Sequence, residues 1–387
     1  LHITRYMCGQ PLLVNNQFIG LDKDGFPKSF LFLKEYIDSG NTEKIKFSLT
    51  LLGISRTLKL SRIQKENAPV NYDSITNPSI RPKVYTIPNG FIKEFVTDYN
   101  LISKKPTTKL SDLYLSTKSG PIGKATMGAL NTICFLSYPQ MQIILDFACQ
   151  SFQEYFSKVY SWAWDNSDFL NRDIQENEPA DKSKINYLFA RKPSDVPCTG
   201  RLSVIHDPEC KARVIAIGDY WSQITLKPIH DILFNLLKKM PRDRTFTQDP
   251  KIDNKISDSS YWSLDLTAAT DRFPLRLQKR LLGYIFQDIS YAEKWSYLIA
   301  ERRFYDKDDF SYLSYSVGQP MGMYSSWAAF TLSHHLVVQF SAHLCGKYPF
   351  DQYILLGDDI VIYDNEVANK YKMVMDKLGV ELSPAKT

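Results

Sequence analysis

Residues Tyr353–Tyr363 read YILLGDDIVIY. Two short apolar runs rich in β-branched residues flank a polar centre, the signature of a hairpin. The spacing predicts strands over Tyr353–Leu356 and Ile360–Tyr363 around a three-residue turn, Gly357-Asp358-Asp359. Adjacent carboxylates repel each other and persist best where a cation neutralises them. A Gly-Asp-Asp triplet alone is a weak signal, since an ordinary acidic turn reads the same way. The metal reading therefore needs another acid from a separate strand.

That acid stands in YWSLDLTAATDRFP, residues 261–274. Asp265 sits near the end of an apolar run, Tyr261 to Leu266, that reads as a strand. Hard divalent cations such as Mg²⁺ take oxygen ligands. Two-metal phosphoryl transfer needs a few acids from separate strands, one ion activating the attacking hydroxyl and the other stabilising the leaving group. Asp265 and Asp358 are the expected ligands, with Asp359 in support. Asp271, six residues on, is placed to accept a hydrogen bond from a ribose 2′-hydroxyl, the group that separates RNA from DNA. Its other reading is a helix N-cap, because Pro274 and a helical pattern (Leu277, Leu281, Ile285) follow closely.

Two further stretches fit nucleotide chemistry. In VGQPMGMYSSW, residues 317–327, Gly318 and Gly322 suit a mobile loop with close backbone approach, and Ser325 and Ser326 offer hydroxyls where a long helix begins. A plain helix cap is the alternative. His334 and His335 fall within that helix and read as structural. In GRLSVIHDPECKARVIAIGDYW, residues 200–221, Lys211 and Arg213 alternate with Ala212 and Val214. Both cations then face one side of a strand, ready to neutralise a triphosphate, unless they serve only surface ion pairs.

The rest of the chain bounds these readings. Its 387 residues allow two or three subdomains, and 44% hydrophobic with 23% charged residues is a globular balance. Residues 1–120 carry 17 Lys+Arg against 10 Asp+Glu and the remainder 30 against 32, so a basic third precedes an acidic-leaning remainder. Six scattered cysteines lack zinc-type spacing, and no apolar run of about 18 residues suggests a membrane span. Residues 127–164 read as helical and 165–184 as an exposed polar connection. Val367, Tyr371, Val374 and Leu378 mark an amphipathic helix stopped by Gly379. The last third thus runs strand, helix, strand, helix, hairpin, helix, strand, an α+β order expected to give one mixed sheet backed by helices.

Taken together, TKSGPIG (117–123), GRLSVIHDPECKARVIAIGDYW (200–221), SLDLTAATDRFP (263–274), VGQPMGMYSSWAAFTLSHHLVVQ (317–339), LLGDDIVIYD (355–364) and LGVELSPAKT (378–387) resemble, in order, the polymerase motifs of viral RNA-dependent RNA polymerases, most closely those of mitoviruses. The resemblance departs at Ile205-His206, where related sequences often carry Lys-Glu. It implies a right-hand fold with a ferredoxin-like palm sheet backed by helices and a largely helical fingers region. By that pattern residues 1–190 are an N-terminal extension and fingers, 191–260 fingers with the basic motif for incoming nucleotide, and 261–387 the palm, with the thumb absent. Asp265, Asp358 and Asp359 match the catalytic, metal-binding acids, and Asp271 the ribose-selecting acid. Gly322, Ser325 and Ser326 fall in the nucleotide-binding loop motif. Lys211 and Arg213 match the triphosphate-binding cations, and Lys386 the lysine proposed as general acid to pyrophosphate. The implied cofactor is a pair of Mg²⁺ ions, with Mn²⁺ able to substitute. The implied partners are RNA template and product and ribonucleoside triphosphates, without a capsid protein. The implied location is the host mitochondrion, with the cytoplasm as alternative.

Three competing readings remain at this stage. A reverse transcriptase shares the palm but usually has Tyr-x-Asp-Asp at the hairpin and a bulky residue in place of the ribose-selecting acid, against Gly357 and Asp271 here. A captured viral remnant that only binds RNA would be expected to lose its acids first. A nucleotidyltransferase with a different palm is more distant.

Overall fold

The computed structural model describes residues 3, 20–54, 61, 70–80, 85–170, 196–206, 212–248 and 261–383. The chain divides into two compact units. The first comprises Leu1–Val70 with Ile205–Arg213. Its helices Leu31–Asp38 and Thr42–Gly53 pack together, and Asn41 caps the second by accepting from the backbone N–H groups of Glu43 and Lys44. Phe26, Leu33 and Ile37 form its small apolar centre.

The second unit comprises Asn71–Val204 with Val214–Thr387. The helical reading of 127–164 holds in three pieces, Ala129–Ile133, Tyr138–Asp146 and Gln150–Asp165. Ser137 restarts the helix through a capping box with Gln140, each side chain serving the other's backbone N–H. Of the expected exposed connection, Ser167–Leu170 forms a helical turn with Leu170 fully buried, and 171–184 lies outside the described residues.

The α+β class is borne out, but the described residues form two sheets rather than one. Strands β1 (Gly200–His206), β2 (Ala212–Gly218), β4 (Arg303–Asp306) and β5 (Ser311–Ser314) form one in the order β2-β1-β4-β5, with β1 and β4 parallel. The strand expected between the first two helices of the last third is β5, Ser311–Ser314. It is drawn into this sheet because it pairs antiparallel with β4, Phe304 opposite Leu313. Strands β3 (Trp262–Leu264), β6 (Tyr353–Leu356) and β7 (Asp359–Ile362) form the other sheet, antiparallel in the order β3-β7-β6. Of the strand expected after helix Asn365–Leu378, the described residues show a single antiparallel bridge, Leu266 to Leu382.

Helix Ser326–His343 is the centre of this unit. Sixteen of its residues are buried, so it is enclosed on every side rather than amphipathic. It packs against helices Tyr220–Leu237, Leu275–Ile285 and Asn365–Leu378. The last begins at Asp364, whose carboxylate accepts from Val367 N–H, and ends, as the sequence foretold, at Gly379, which takes the left-handed conformation. Tyr353, Leu355, Ile360 and Ile362 press into the same core, while Ile354, Val361 and Asp359 alternate away from it.

Candidate active site

The hairpin turn is tighter than the sequence suggested. Leu356 pairs directly with Asp359, so the turn is the two residues Gly357 and Asp358, and Asp359 opens β7. A two-residue hairpin turn needs positive φ at its first position, and Gly357 has φ 62°. A Cβ on Gly357 would stand 2.2 Å from Cη2 of Trp327, whose ring covers the turn. Only glycine fits there.

The same register carries the other acid to the turn. Leu264 pairs with Ile360, so Asp265, one residue further along, comes opposite Asp359. Two adjacent strands thereby bring Asp265, Asp358 and Asp359 to one end of the sheet. Asp265 is buried at 7% exposure, Asp358 is half-buried and Asp359 exposed. Backbone bonds from Ser383 N–H to the Asp265 carbonyl, 2.8 Å, and from Thr267 N–H to the Glu381 carbonyl, 2.9 Å, hold the other side of the Asp265 strand. Beside the turn, Asp359 lines a cavity of about 230 Å³ with Ser263, Val361 and Arg244. Among the described residues no group of three or more His, Cys, Asp or Glu side chains is set to hold a metal ion. The donor set itself, three carboxylates on neighbouring strands, is of the hard-oxygen type that Mg²⁺ takes.

Asp271 is no helix cap. It lies inside the short helix Ala269–Arg272, and the next helix, Leu275–Ile285, is capped at Pro274 without a side-chain bond. Its Oδ2 accepts from Ser74 Oγ at 2.8 Å, and its Oδ1 is buried with no hydrogen-bond partner among the described residues. Burial pushes its carboxyl up to about 6, against the opposing pull of Ser74 and Arg272. Arg272 donates to the carbonyls of Asn77 and Pro78, which pins the Ser74 segment in place. The phenol of Tyr315 is also buried and has no hydrogen-bond partner among the described residues, and burial, with the charge of Asp271, holds its pKa far above the usual value.

The glycine loop makes the close approaches expected of it. A Cβ on Gly318 would meet the Thr270 carbonyl oxygen at 2.2 Å, and one on Gly322 the Ala216 carbonyl oxygen at 2.3 Å. Gly318 N–H donates to the Asp271 carbonyl at 3.0 Å, tying this loop to the Asp271 segment. Ser325 and Ser326 are buried. Ser325 Oγ accepts from Trp295 Nε1 at 2.8 Å, and Ser326 Oγ donates to the Pro320 carbonyl at 2.8 Å, so both hydroxyls brace the loop from within. Ser325 takes φ 71° while its N–H donates to Nδ1 of His230, a contact with no signature in the sequence. Arg213 is exposed on β2, whereas Lys211 and Lys386 lie outside the described residues.

The two histidines are more deeply embedded than their sequence position suggests. His334 and His335 are fully buried. His334 Nδ1 lies 2.7 Å from the Gly357 carbonyl, and its Nε2 lies 2.7 Å from the Tyr371 hydroxyl. Burial lowers the His334 pKa to about 3, so the ring is neutral. His335 joins the Tyr353 hydroxyl to the Asp243 carboxylate at 2.8 and 3.2 Å. Polar side chains on a helix buried all round must find partners, and that rule was the available signal.

The family profile "Mitovirus RNA-dependent RNA polymerase" matches residues 106–387. The chain is 33% identical over 281 residues to the RNA-directed RNA polymerase of Cryphonectria parasitica mitovirus 1, an alignment that covers 70% of this chain and 33% of that protein. It thus spans about a third of the length of that relative. It is also 36% identical over 157 residues to the Arabidopsis thaliana "Uncharacterized mitochondrial protein AtMg01410", covering 39% of this chain and 76% of that one. Among solved structures, the Sicinivirus 3Dpol RNA-dependent RNA polymerase aligns with a TM-score of 0.45 at 13% identity, over 83% of this chain and 68% of its own. The match of the family profile over residues 106–387, most of the chain and the stretch that carries the acids of the hairpin and its neighbouring strand, shows that this protein belongs to the mitovirus RNA-dependent RNA polymerase family.

Proposed function

We propose that this chain carries the nucleotidyl-transfer centre of an RNA-directed RNA polymerase that copies a viral positive-strand RNA genome from ribonucleoside triphosphates. The observation that supports this most directly is the register Leu264–Ile360 and Leu356–Asp359, which brings Asp265 to the acidic hairpin tip. Asp265 and Asp358, supported by Asp359, would hold two Mg²⁺ ions, or Mn²⁺ in their place. Bound there, such ions activate a 3′-hydroxyl and stabilise the leaving pyrophosphate.

The other residues have roles that follow from their chemistry. Asp271 accepts a hydrogen bond from the ribose 2′-hydroxyl through Oδ1. The loop around Gly322, braced by Ser325 and Ser326, lets backbone approach the nucleotide closely. Lys211 and Arg213 neutralise the triphosphate, and Lys386 donates a proton to pyrophosphate, both by the family's motif pattern. In this reading residues 1–190 and 191–260 serve as extension and fingers and 261–387 as palm. Work in or beside mitochondria is supported by the mitovirus relative and by the mitochondrial naming of the Arabidopsis relatives. No described helix is long and apolar enough to cross a membrane. RNA-templated incorporation by the protein of the reading frame encoding this chain, with and without Asp358→Asn, tests the proposal. Templated synthesis that survives the substitution would remove the assignment.

A further inference from the structure

The acidic turn is held from beneath by a buried chain of hydrogen bonds that the motif pattern does not assign. A backbone carbonyl can only accept, so the bond between His334 and Gly357 requires the proton on Nδ1. A neutral imidazole carries one N–H, which leaves Nε2 as acceptor and makes the Tyr371 hydroxyl its donor. Tyr371 is fully buried on helix Asn365–Leu378, close enough to Asp265 for that carboxylate's charge to act on its phenol. One imidazole thus ties the acidic hairpin, through Tyr371, to helix Asn365–Leu378 beside Asp265, and to the central helix that carries His334. Trp327, two turns earlier on that helix, covers the turn over Gly357.

We propose that His334 is a positioning residue for metal binding: its Nδ1–H clamps the Gly357 carbonyl and so sets the direction in which Asp358 and Asp359 leave the turn, while the Tyr371 hydroxyl, donating to Nε2, holds the ring in place. The inference rests on the metal-binding reading of these acids. A turn closed by only two residues has little slack, because its carbonyl orientation and the direction of the next side chain are coupled through one peptide plane. A clamp on that carbonyl therefore acts on the carboxylates without touching them. Outer contacts of this kind commonly tune metal affinity.

Two isosteric substitutions separate the clamp from general packing. The amide nitrogen of His334→Asn occupies the place of Nδ1 and keeps the donation to Gly357. His334→Gln reaches the place of Nε2, keeps a contact with Tyr371 and abandons the Gly357 carbonyl. Mn²⁺ binding by electron paramagnetic resonance and the melting midpoint are measured for the protein of the full reading frame, beside Asp358→Asn. His334→Gln is expected to weaken Mn²⁺ binding roughly 10- to 100-fold, with His334→Asn retaining most of the affinity and Tyr371→Phe falling between them. The Mg²⁺ concentration for half-maximal incorporation should rise in the same order, with the KM for nucleotide little changed. If both histidine variants lower the melting midpoint yet bind Mn²⁺ like the parent, His334 is a packing residue and the proposal fails. Should His334→Gln not fold, Mn²⁺ affinity in His334→Asn and Tyr371→Phe decides, and equal, large losses in both overturn the clamp. Parent-like Mn²⁺ binding by Asp358→Asn would instead defeat the underlying metal assignment.

Discussion

Ser74 Oγ donates a 2.8 Å hydrogen bond to Asp271 Oδ2 across 197 residues of sequence, fixing one carboxylate oxygen and leaving the other without a partner among the described residues. The contact turns a residue upstream of the family match into a determinant of where Asp271 points. With one oxygen held, the remaining oxygen can accept from one sugar hydroxyl in one direction.

Replacing Asp271 with Ala should loosen discrimination between ribo- and deoxyribonucleotides. A hydrogen bond to a charged acceptor is worth about 1–3 kcal/mol, so the ratio of incorporation efficiencies should fall roughly 5- to 150-fold. Ser74→Ala should move the ratio the same way by less, since it frees the carboxyl to turn without removing it. Competition between the two sugars at one template position measures both, and unchanged ratios would return Asp271 to a structural role.

The same residue should show a trade between stability and function. Its folded pKa, about 6, lies above the ordinary value of 3.8, so the native state holds its proton more tightly than the unfolded chain. That contribution is fully present below about pH 4 and is lost as pH rises through about 6. At pH 7.5 Asp271→Asn should therefore melt higher than the parent, by up to about 3 kcal/mol before discounting for residual exposure. The gap should close as pH falls from 6 to 4. Melting curves at pH 4, 6 and 7.5 test this, and a gap independent of pH would mean that the carboxyl is not strained by burial.

Gly357→Ala should be more damaging than its size suggests. The new Cβ meets the Trp327 ring at 2.2 Å on a backbone with φ 62°. The left-handed conformation costs an L-residue about 1–2 kcal/mol, and forcing a methyl into packed surroundings typically adds about 1–3. The melting midpoint should fall and incorporation with it, and Trp327→Ala in the same chain should restore part of the stability. Failure of that rescue would show that backbone strain alone sets the requirement.

Asp358→Asn should leave the melting midpoint within about 0.5 kcal/mol equivalent, as half-exposed isosteric changes usually do. Incorporation should drop at least about 100-fold, the scale of losing one electrostatic contact to the reacting groups. Primer extension on RNA, with RNA affinity measured separately, distinguishes a catalytic defect from lost binding.

By itself the sequence determined the hairpin, because alternating β-branched runs around a glycine admit few other structures. It likewise marked Asp265 on a separate strand and the end of helix Asn365–Leu378, where Gly379 acts on backbone groups within one turn of itself. Local spacing carries such information because the forces concerned act between near neighbours in the chain. The tertiary structure decided the rest. It shortened the turn to two residues, since the register of β7 against both β6 and β3 is set by packing on the core. It also drew Ser311–Ser314 into a different sheet from the acids and buried the hydroxyls of Ser325 and Ser326. The bonds of His334 to Gly357 and Tyr371, and of Ser74 to Asp271, depended on it entirely. Such buried polar groups must pair wherever the fold brings a partner, and those partners lie 23 to 197 residues away, beyond anything a periodic pattern can encode.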